Sequence, residues 1–134
     1  MATFDPVSNN VNEIKRCNQR GGRMLSVIDL VERGTISLET AAHLAHTIHS
    51  GASFIVGAVP GGAGKTTVMG AFLNLLPADM PIVPAENAGV IERLKNFPTR
   101  VCGLAHEISF GPYYCYLSGE TLRRFFSLPR HGHI

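Results

Sequence analysis

The sequence predicts an α/β fold of three layers, in which a mostly parallel sheet is flanked by helices. Apolar segments of strand length alternate along the chain with amphipathic segments of helix length, which is the element order of α/β proteins. Residues 53–58 (SFIVGA) form a continuous apolar run, as in a strand buried on both faces. A glycine-rich loop joins this run to the next predicted helix.

Composition places the chain among globular proteins. Its 134 residues are 45% hydrophobic and 16% charged, which excludes a disordered chain. A formal charge of +2 is too small to indicate direct nucleic-acid binding. The three cysteines form no CxxC pair and are read as reduced thiols. Because no secretory signal or long apolar run is present, we expect a cytoplasmic protein that is not transmembrane.

The chain divides into two parts by composition. Residues 1–22 are polar, contain Pro6 and end in two glycines, so we expect a flexible N-terminal arm or linker. Residues 23–134 are expected to form the folded domain. Its first helices are predicted over residues 25–33, ended by Gly34, and from Ser37 as N-cap to Gly51.

After the glycine loop the pattern continues in shorter elements. A helix is predicted over residues 66–76 (TTVMGAFLNLL), with Pro77 ending it. Gly70 inside this helix is unfavourable for helix formation, which indicates a neighbour packed closely against it. Strands are predicted over 80–84, 101–108 and 113–117, and helices over 88–97 and 121–127.

Residues 59–66 (VPGGAGKT) follow the phosphate-loop formula G-x-x-x-x-G-K-[ST] except at Val59. Glycines allow successive backbone N–H groups to turn inward around an anion, and the following helix directs its positive end there. In such a loop Lys65 reaches the β- and γ-phosphates, and the Thr66 hydroxyl is placed to ligate Mg²⁺. The predicted nucleotide-binding residues are Pro60, Gly61, Gly62, Ala63, Gly64, Lys65, Thr66 and Thr67.

Val59 changes the start of the loop and leaves the predicted cradle intact. A β-branched residue does not readily take a positive φ, so the loop is expected to begin in an extended conformation. Pro60 favours the same conformation in the residue before it. The alternative is a glycine-rich turn followed by a chance Lys-Thr pair, which the preceding apolar run and the following helix disfavour.

From about residue 34 onward the chain resembles the type II/type IV secretion and pilus-assembly motor ATPases, a branch of the RecA-like P-loop NTPases. The segments that carry the resemblance are SLETAAHLAHTIHSG, the glycine loop, VMGAFLNLLP, PIVPAEN, YYCYLSGETLRRFF and RHGHI. Glu86 in PIVPAEN takes the place of the family's Asp box. Gly119-Glu120 takes the place of its Walker B element, and Gly132-His133 that of its Gly-His element.

The resemblance implies a domain that hydrolyses Mg·ATP to power protein secretion or the assembly of a pilus or filament. It implies a RecA-like fold and a hexameric ring, located in the cytoplasm and peripheral to inner-membrane secretion or pilus machinery. Lys65, Glu120 and Glu86 are the implied catalytic residues, with Glu120 activating water and Glu86 assisting. Thr66 is the implied ligand of Mg²⁺.

The chain departs from the family at two places. Asn87 stands where the family has a second acid, so that site has one negative charge fewer. The family also has further strands beyond the position matching Ile134, so the domain is expected to be partial, incomplete at its C-terminal end. Two alternatives stay open: a small P-loop kinase that transfers the γ-phosphate to a small molecule, and a nucleotide-binding fragment without turnover.

Other polar residues are weaker candidates. His43, His46 and His49 are spaced by three on a predicted helix, so their side chains fan over about 120° and a polar helix face is favoured over a metal site. Several arginines could supply positive charge to the γ-phosphate of a neighbouring subunit. These are Arg93, Arg100, Arg123 and Arg124.

Overall fold

The computed structural model describes residues 5–18, 21–59, 64–105, 117 and 119–128. Within these residues the chain forms six helices and a two-stranded parallel sheet. In chain order the elements are α1 (Pro6–Arg16), α2 (Val27–Glu32), α3 (Leu38–His49), α4 (Lys65–Leu73), β1 (Ile82–Pro84), α5 (Ala88–Lys95), β2 (Cys102–Leu104) and α6 (Gly119–Phe126).

The sheet is a β–α–β unit. β1 and β2 run parallel, with Ile82 opposite Cys102 and Pro84 opposite Leu104, and α5 connects them. Parallel strands require such a crossover because the chain must return to the same end of the sheet. The order strand, helix, strand is the predicted one for residues 80–104. The three-layer fold with a larger sheet stays a prediction, because two strands are too few to test it.

α1 lies where the sequence predicts a flexible arm. Asp5 caps the helix by accepting hydrogen bonds from the backbone N–H groups of Val7 and Ser8, and Pro6 occupies its first turn. Ile14 and Cys17 are buried on its inner face. The helix is difficult to recognise from composition because its inward face also carries asparagine.

Asn9 and Asn10, here called the asparagine pair, fix α1 to the outer edge of β1. Asn10 Nδ2 donates to the Met80 carbonyl (2.7 Å), and Asn10 Oδ1 accepts from the Ile82 N–H (2.8 Å). Asn9 Nδ2 donates to the Ile82 carbonyl (2.9 Å). These are the edge groups that a third strand would otherwise satisfy. Side-chain amides of a helix therefore take the place of a neighbouring strand.

The predicted strand over residues 53–58 is not formed. These residues have no regular secondary structure, and the described sheet consists of β1 and β2. Phe54 and Val56 pack on the core, and the Phe54 ring lies edge-on to Phe72 at 5.9 Å between centroids. Ile55, by contrast, is 75% exposed. One face of the segment therefore packs on the core. Apolar side chains favour such burial, but they do not give the backbone N–H and C=O groups a strand to pair with.

The predicted C-terminal ends of α2 and α3 are confirmed, whereas α4 ends at Leu73 and not at the predicted Leu76. Ser37 caps α3 by accepting from the Thr40 N–H, and Gly34 and Gly51 follow α2 and α3 with φ of 70° and 99°. α2 starts later than predicted, because Ser26 and Asp29 form a capping box at its N-terminus. The helix predicted over 121–127 is confirmed as α6. Of the strand predicted over 113–117, only Leu117 lies within the described residues.

α4 lies between two parts of the core. One part contains apolar side chains of α2, α3 and α4, and the other contains those of α1, α4, β1 and β2. A Cβ on Gly70 would lie 2.9 Å from Met24 Cε and 3.2 Å from Cys17 Cβ. The close neighbour predicted for Gly70 is thereby confirmed. Cys17 and Cys102 are buried within the second part of the core.

Candidate phosphate-binding site

The N-terminus of α4 carries the described part of the predicted phosphate loop. Gly64 is the N-cap residue, with φ 89° and ψ 18° in the left-handed region. A Cβ there would meet no atom within 4 Å, so glycine is favoured by the backbone conformation and not by lack of space. Lys65 is the first residue of the helix, and Thr66 and Thr67 follow in its first turn.

The N-cap residue of α4 supplies no side-chain hydrogen bond to the first turn of the helix. Glycine has no side chain to cap a helix, so the N–H groups of the first turn receive no hydrogen bond acceptor from the N-cap residue. Aligned peptide dipoles add a partial positive charge at this end. Such a terminus accepts phosphate oxygens readily.

The side chains of this turn have no partner among the described residues. Lys65 is half-buried and forms none of the ion pairs found there. The hydroxyls of Thr66 and Thr67 likewise make no side-chain hydrogen bond within the described ranges. The ammonium group and both hydroxyls are therefore uncommitted to the carboxylates and carbonyls of the part of the chain that the structure describes.

Residues 60–63 lie outside the described residues, so the nest predicted for Pro60, Gly61, Gly62 and Ala63 stays a prediction. Val59, directly before them, is 98% exposed. No non-glycine residue of the described chain has a positive φ, so Val59 avoids the conformation that its β-branched side chain disfavours.

Glu86 lies immediately after β1 and is engaged by α1. Its Oε1 accepts from Arg16 Nη2 at 2.9 Å, and Arg16 Nη1 donates to Glu13 Oε2 at 3.0 Å. Glu86 is half-exposed at the side chain. Its neighbour Asn87 accepts a hydrogen bond from the Val90 N–H at 3.0 Å and so caps α5. Asn87 therefore has a structural role as the N-cap residue of α5.

Glu120 lies in the first turn of α6, not at the end of a described strand. It is exposed, and Oε1 is 3.5 Å from Arg124 Nε one helical turn along. A carboxylate in the first turn is also favoured by the helix dipole. These local interactions account for the residue without nucleotide, and its predicted catalytic role stays a prediction.

The remaining candidates are dispersed. Arg93 lines a groove of about 270 Å³ between α1, β1 and α5, whereas Arg124 contacts Glu120. His43, His46 and His49 are exposed on α3. The described residues contain no group of three or more His, Cys, Asp or Glu side chains that could hold a metal ion. A magnesium ion bound with a nucleotide needs fewer, because phosphates and water supply most of its ligands, and the uncommitted Thr66 hydroxyl fits that donor set.

Sequence reasoning missed Arg16 and Glu13. Their spacing of three on α1 is visible in the sequence, but Arg16 and Glu86 are 70 residues apart and nothing local joins them.

No described helix has the length and apolar character needed to cross a bilayer. No family model, curated protein or solved structure matches the chain.

Proposed function

We propose that the chain binds Mg·ATP at the N-terminus of α4 and hydrolyses it as part of a motor ATPase. The observation that carries this proposal is the start of α4. Gly64 is in the left-handed region, and Lys65, Thr66 and Thr67 follow it in a GKTT sequence, with side chains that have no partner among the described residues. A glycine that opens a helix followed by lysine and threonine is the arrangement that phosphate loops use.

Each residue of the proposed site has one task. The backbone N–H groups from Gly61 to Thr66 bind phosphate oxygens, and Lys65 contacts the β- and γ-phosphates. Thr66 would hold Mg²⁺, which when bound neutralises charge on the transferred phosphoryl group. Glu120 orients the attacking water and Glu86 assists it. This division of tasks follows the general requirements of phosphoryl transfer.

The wider role proposed is that of secretion and pilus-assembly motors. A hexameric ring in the cytoplasm, peripheral to the inner membrane, would couple hydrolysis to movement of a protein or filament. The support for this role is the resemblance of residues 34–134 to that family. The finding that no described helix could span a bilayer is compatible with a peripheral position.

Nucleotide binding without hydrolysis is the second candidate, and the two glutamates favour it. Each lies at an exposed position beside an arginine of the same chain, Arg16 for Glu86 and Arg124 for Glu120. Each carboxylate therefore has a cationic partner within the chain in the absence of nucleotide. The two candidates agree on the phosphate site and differ in turnover.

Titration with a fluorescent ATP analogue in the presence of Mg²⁺ tests the shared part of the proposal. Lys65→Ala removes the ammonium group, and we expect affinity to fall roughly 100-fold, equivalent to about 2.7 kcal/mol. Lys15→Ala is the matched control, because Lys15 is an exposed lysine on α1. Equal affinity in wild type and Lys65→Ala would overturn the phosphate site.

Release of inorganic phosphate from ATP separates the two candidates. Glu120→Gln should retain ATP affinity and lose turnover if Glu120 orients water. Wild-type protein that binds ATP and releases no phosphate would support the non-hydrolysing candidate. Formation of ADP and a phosphorylated acceptor, without release of inorganic phosphate, would instead indicate a kinase.

A further inference from the structure

α1 contacts both α4, whose N-terminus is the proposed phosphate site, and β1, the strand that precedes Glu86. On one side Gly70 of α4 lies against Cys17, about five residues or roughly 7.5 Å along the axis from Lys65. On the other side the asparagine pair binds the edge of β1. α1 is therefore fixed relative to both elements before any side chain at its C-terminal end is considered.

Arg16, in the last turn of α1, joins two carboxylates through different nitrogens. Nη1 donates to Glu13 at 3.0 Å and Nη2 donates to Glu86 at 2.9 Å. The Glu13 side chain is only 14% exposed, whereas those of Arg16 and Glu86 are 52% and 50% exposed. Because a guanidinium group is a rigid planar fork, it cannot rotate without losing one of these partners. Glu13 thus anchors Arg16, and Arg16 orients Glu86.

The backbone beneath Glu86 is fixed as well. The N–H of Ala85 donates to the Leu104 carbonyl at 2.8 Å, which extends the β1–β2 ladder by one residue, and Ala85 is 1% exposed. Arg16 engages only Oε1 of Glu86, and Oε2 has no hydrogen bond among the described residues. One oxygen of a fixed carboxylate is therefore left to accept a hydrogen bond from water.

We propose that Arg16 is a positioning residue for Glu86, holding its carboxylate in the orientation that assists ATP hydrolysis. This inference rests on the proposed function. An ion pair this exposed contributes little to stability, so its effect is expected on orientation. A small displacement of a group that assists a reaction lowers its rate strongly, whereas nucleotide affinity depends on α4.

The experiment compares Arg16→Gln, Arg16→Lys, Glu86→Gln and the double variant Arg16→Gln/Glu86→Gln. For each we measure kcat, the Kd of Mg·ATP and the melting temperature. Arg16→Gln should lower kcat about 10-fold with Kd and Tm unchanged, since a barrier change of about 1.4 kcal/mol corresponds to that factor. Arg16→Lys should be intermediate, because an ammonium group keeps the charge and loses the fork. The double variant should be no slower than Glu86→Gln.

Arg23→Gln is the matched control, because Arg23 also forms an ion pair with a carboxylate, that of Asp29, and is remote in sequence from the proposed site. It should keep wild-type kcat. Wild-type kcat in Arg16→Gln would overturn the positioning role while leaving ATP hydrolysis intact. An additive loss in the double variant, or a loss of kcat that follows a fall in Tm, would overturn it too. Absence of hydrolysis in the wild type would overturn the proposed hydrolysis and this inference together.

Discussion

Asn10→Ala tests whether a helix side chain replaces a strand at the edge of β1. Asn10 is 9% exposed, and its carboxamide both donates to Met80 and accepts from Ile82. Alanine leaves one backbone carbonyl and one backbone N–H without these partners. Each unsatisfied buried group costs about 1–3 kcal/mol. Alanine regains roughly 0.6 kcal/mol through its higher helix propensity.

The expected net loss for Asn10→Ala is therefore about 1.4–5.4 kcal/mol in the free energy of unfolding. Globular domains have a total stability of about 5–15 kcal/mol, so the change is a large fraction of it. Urea denaturation followed by circular dichroism measures the loss. With a slope of about 2 kcal/mol/M the midpoint should fall by roughly 0.7–2.7 M, and the slope itself should stay unchanged.

Asn12→Ala is the control for Asn10→Ala, because Asn12 is an exposed asparagine on the same helix. It removes the same chemical group without touching β1 and should leave the midpoint unchanged or raise it slightly. If the two variants differ by less than about 0.5 kcal/mol, which is the usual range for a surface substitution, the edge of β1 does not depend on Asn10. That result would refute the role given to the asparagine pair.

Two further predictions concern packing and pH. Gly70→Ala should destabilise by about 1–2 kcal/mol despite its better helix propensity, because Cys17 Cβ would lie only 3.2 Å from the new methyl group; a gain in Tm would contradict this. The hydrogen bond from Arg23 holds the pKa of Asp29 well below its usual range. The stability that Asp29 adds is therefore present above its unfolded pKa of about 3.9, and it is lost as pH falls through the folded value. Asp29→Asn should therefore flatten the acid limb of stability against pH, and an unchanged acid limb would show that Asp29 does not contribute.

The elements predicted well from the sequence are those set by neighbouring residues. Ser37 caps α3 through the N–H of Thr40 three positions later, and Gly34 ends α2 in a left-handed conformation. Both effects act within one turn of helix, so the sequence pattern contains them in full. The start of α4 at Gly64 and Lys65 belongs to the same class.

The elements predicted poorly are those set by distant partners. Residues 53–58 were expected to be a buried strand because they are apolar, but a strand also needs a partner for its backbone, and apolar character does not identify one. α1 shows the reverse case. Its asparagines indicate a polar arm when read locally, but Asn10 is buried because Met80 and Ile82, 70 and 72 residues away, present edge groups to it.

The candidate site has two halves, one set by neighbouring residues and one set by residues that are distant in sequence. Lys65 and Thr66 follow from consecutive positions, so their placement at the start of α4 could be predicted from the sequence. The environment of Glu86 could not be predicted from the sequence, because it depends on Arg16 of α1. α1 packs against α4 at Gly70 and binds β1 through the asparagine pair, so it is the described element that contacts both halves. If the proposed function holds, the geometry between phosphate and Glu86 therefore depends on the segment that composition alone assigns to a flexible arm.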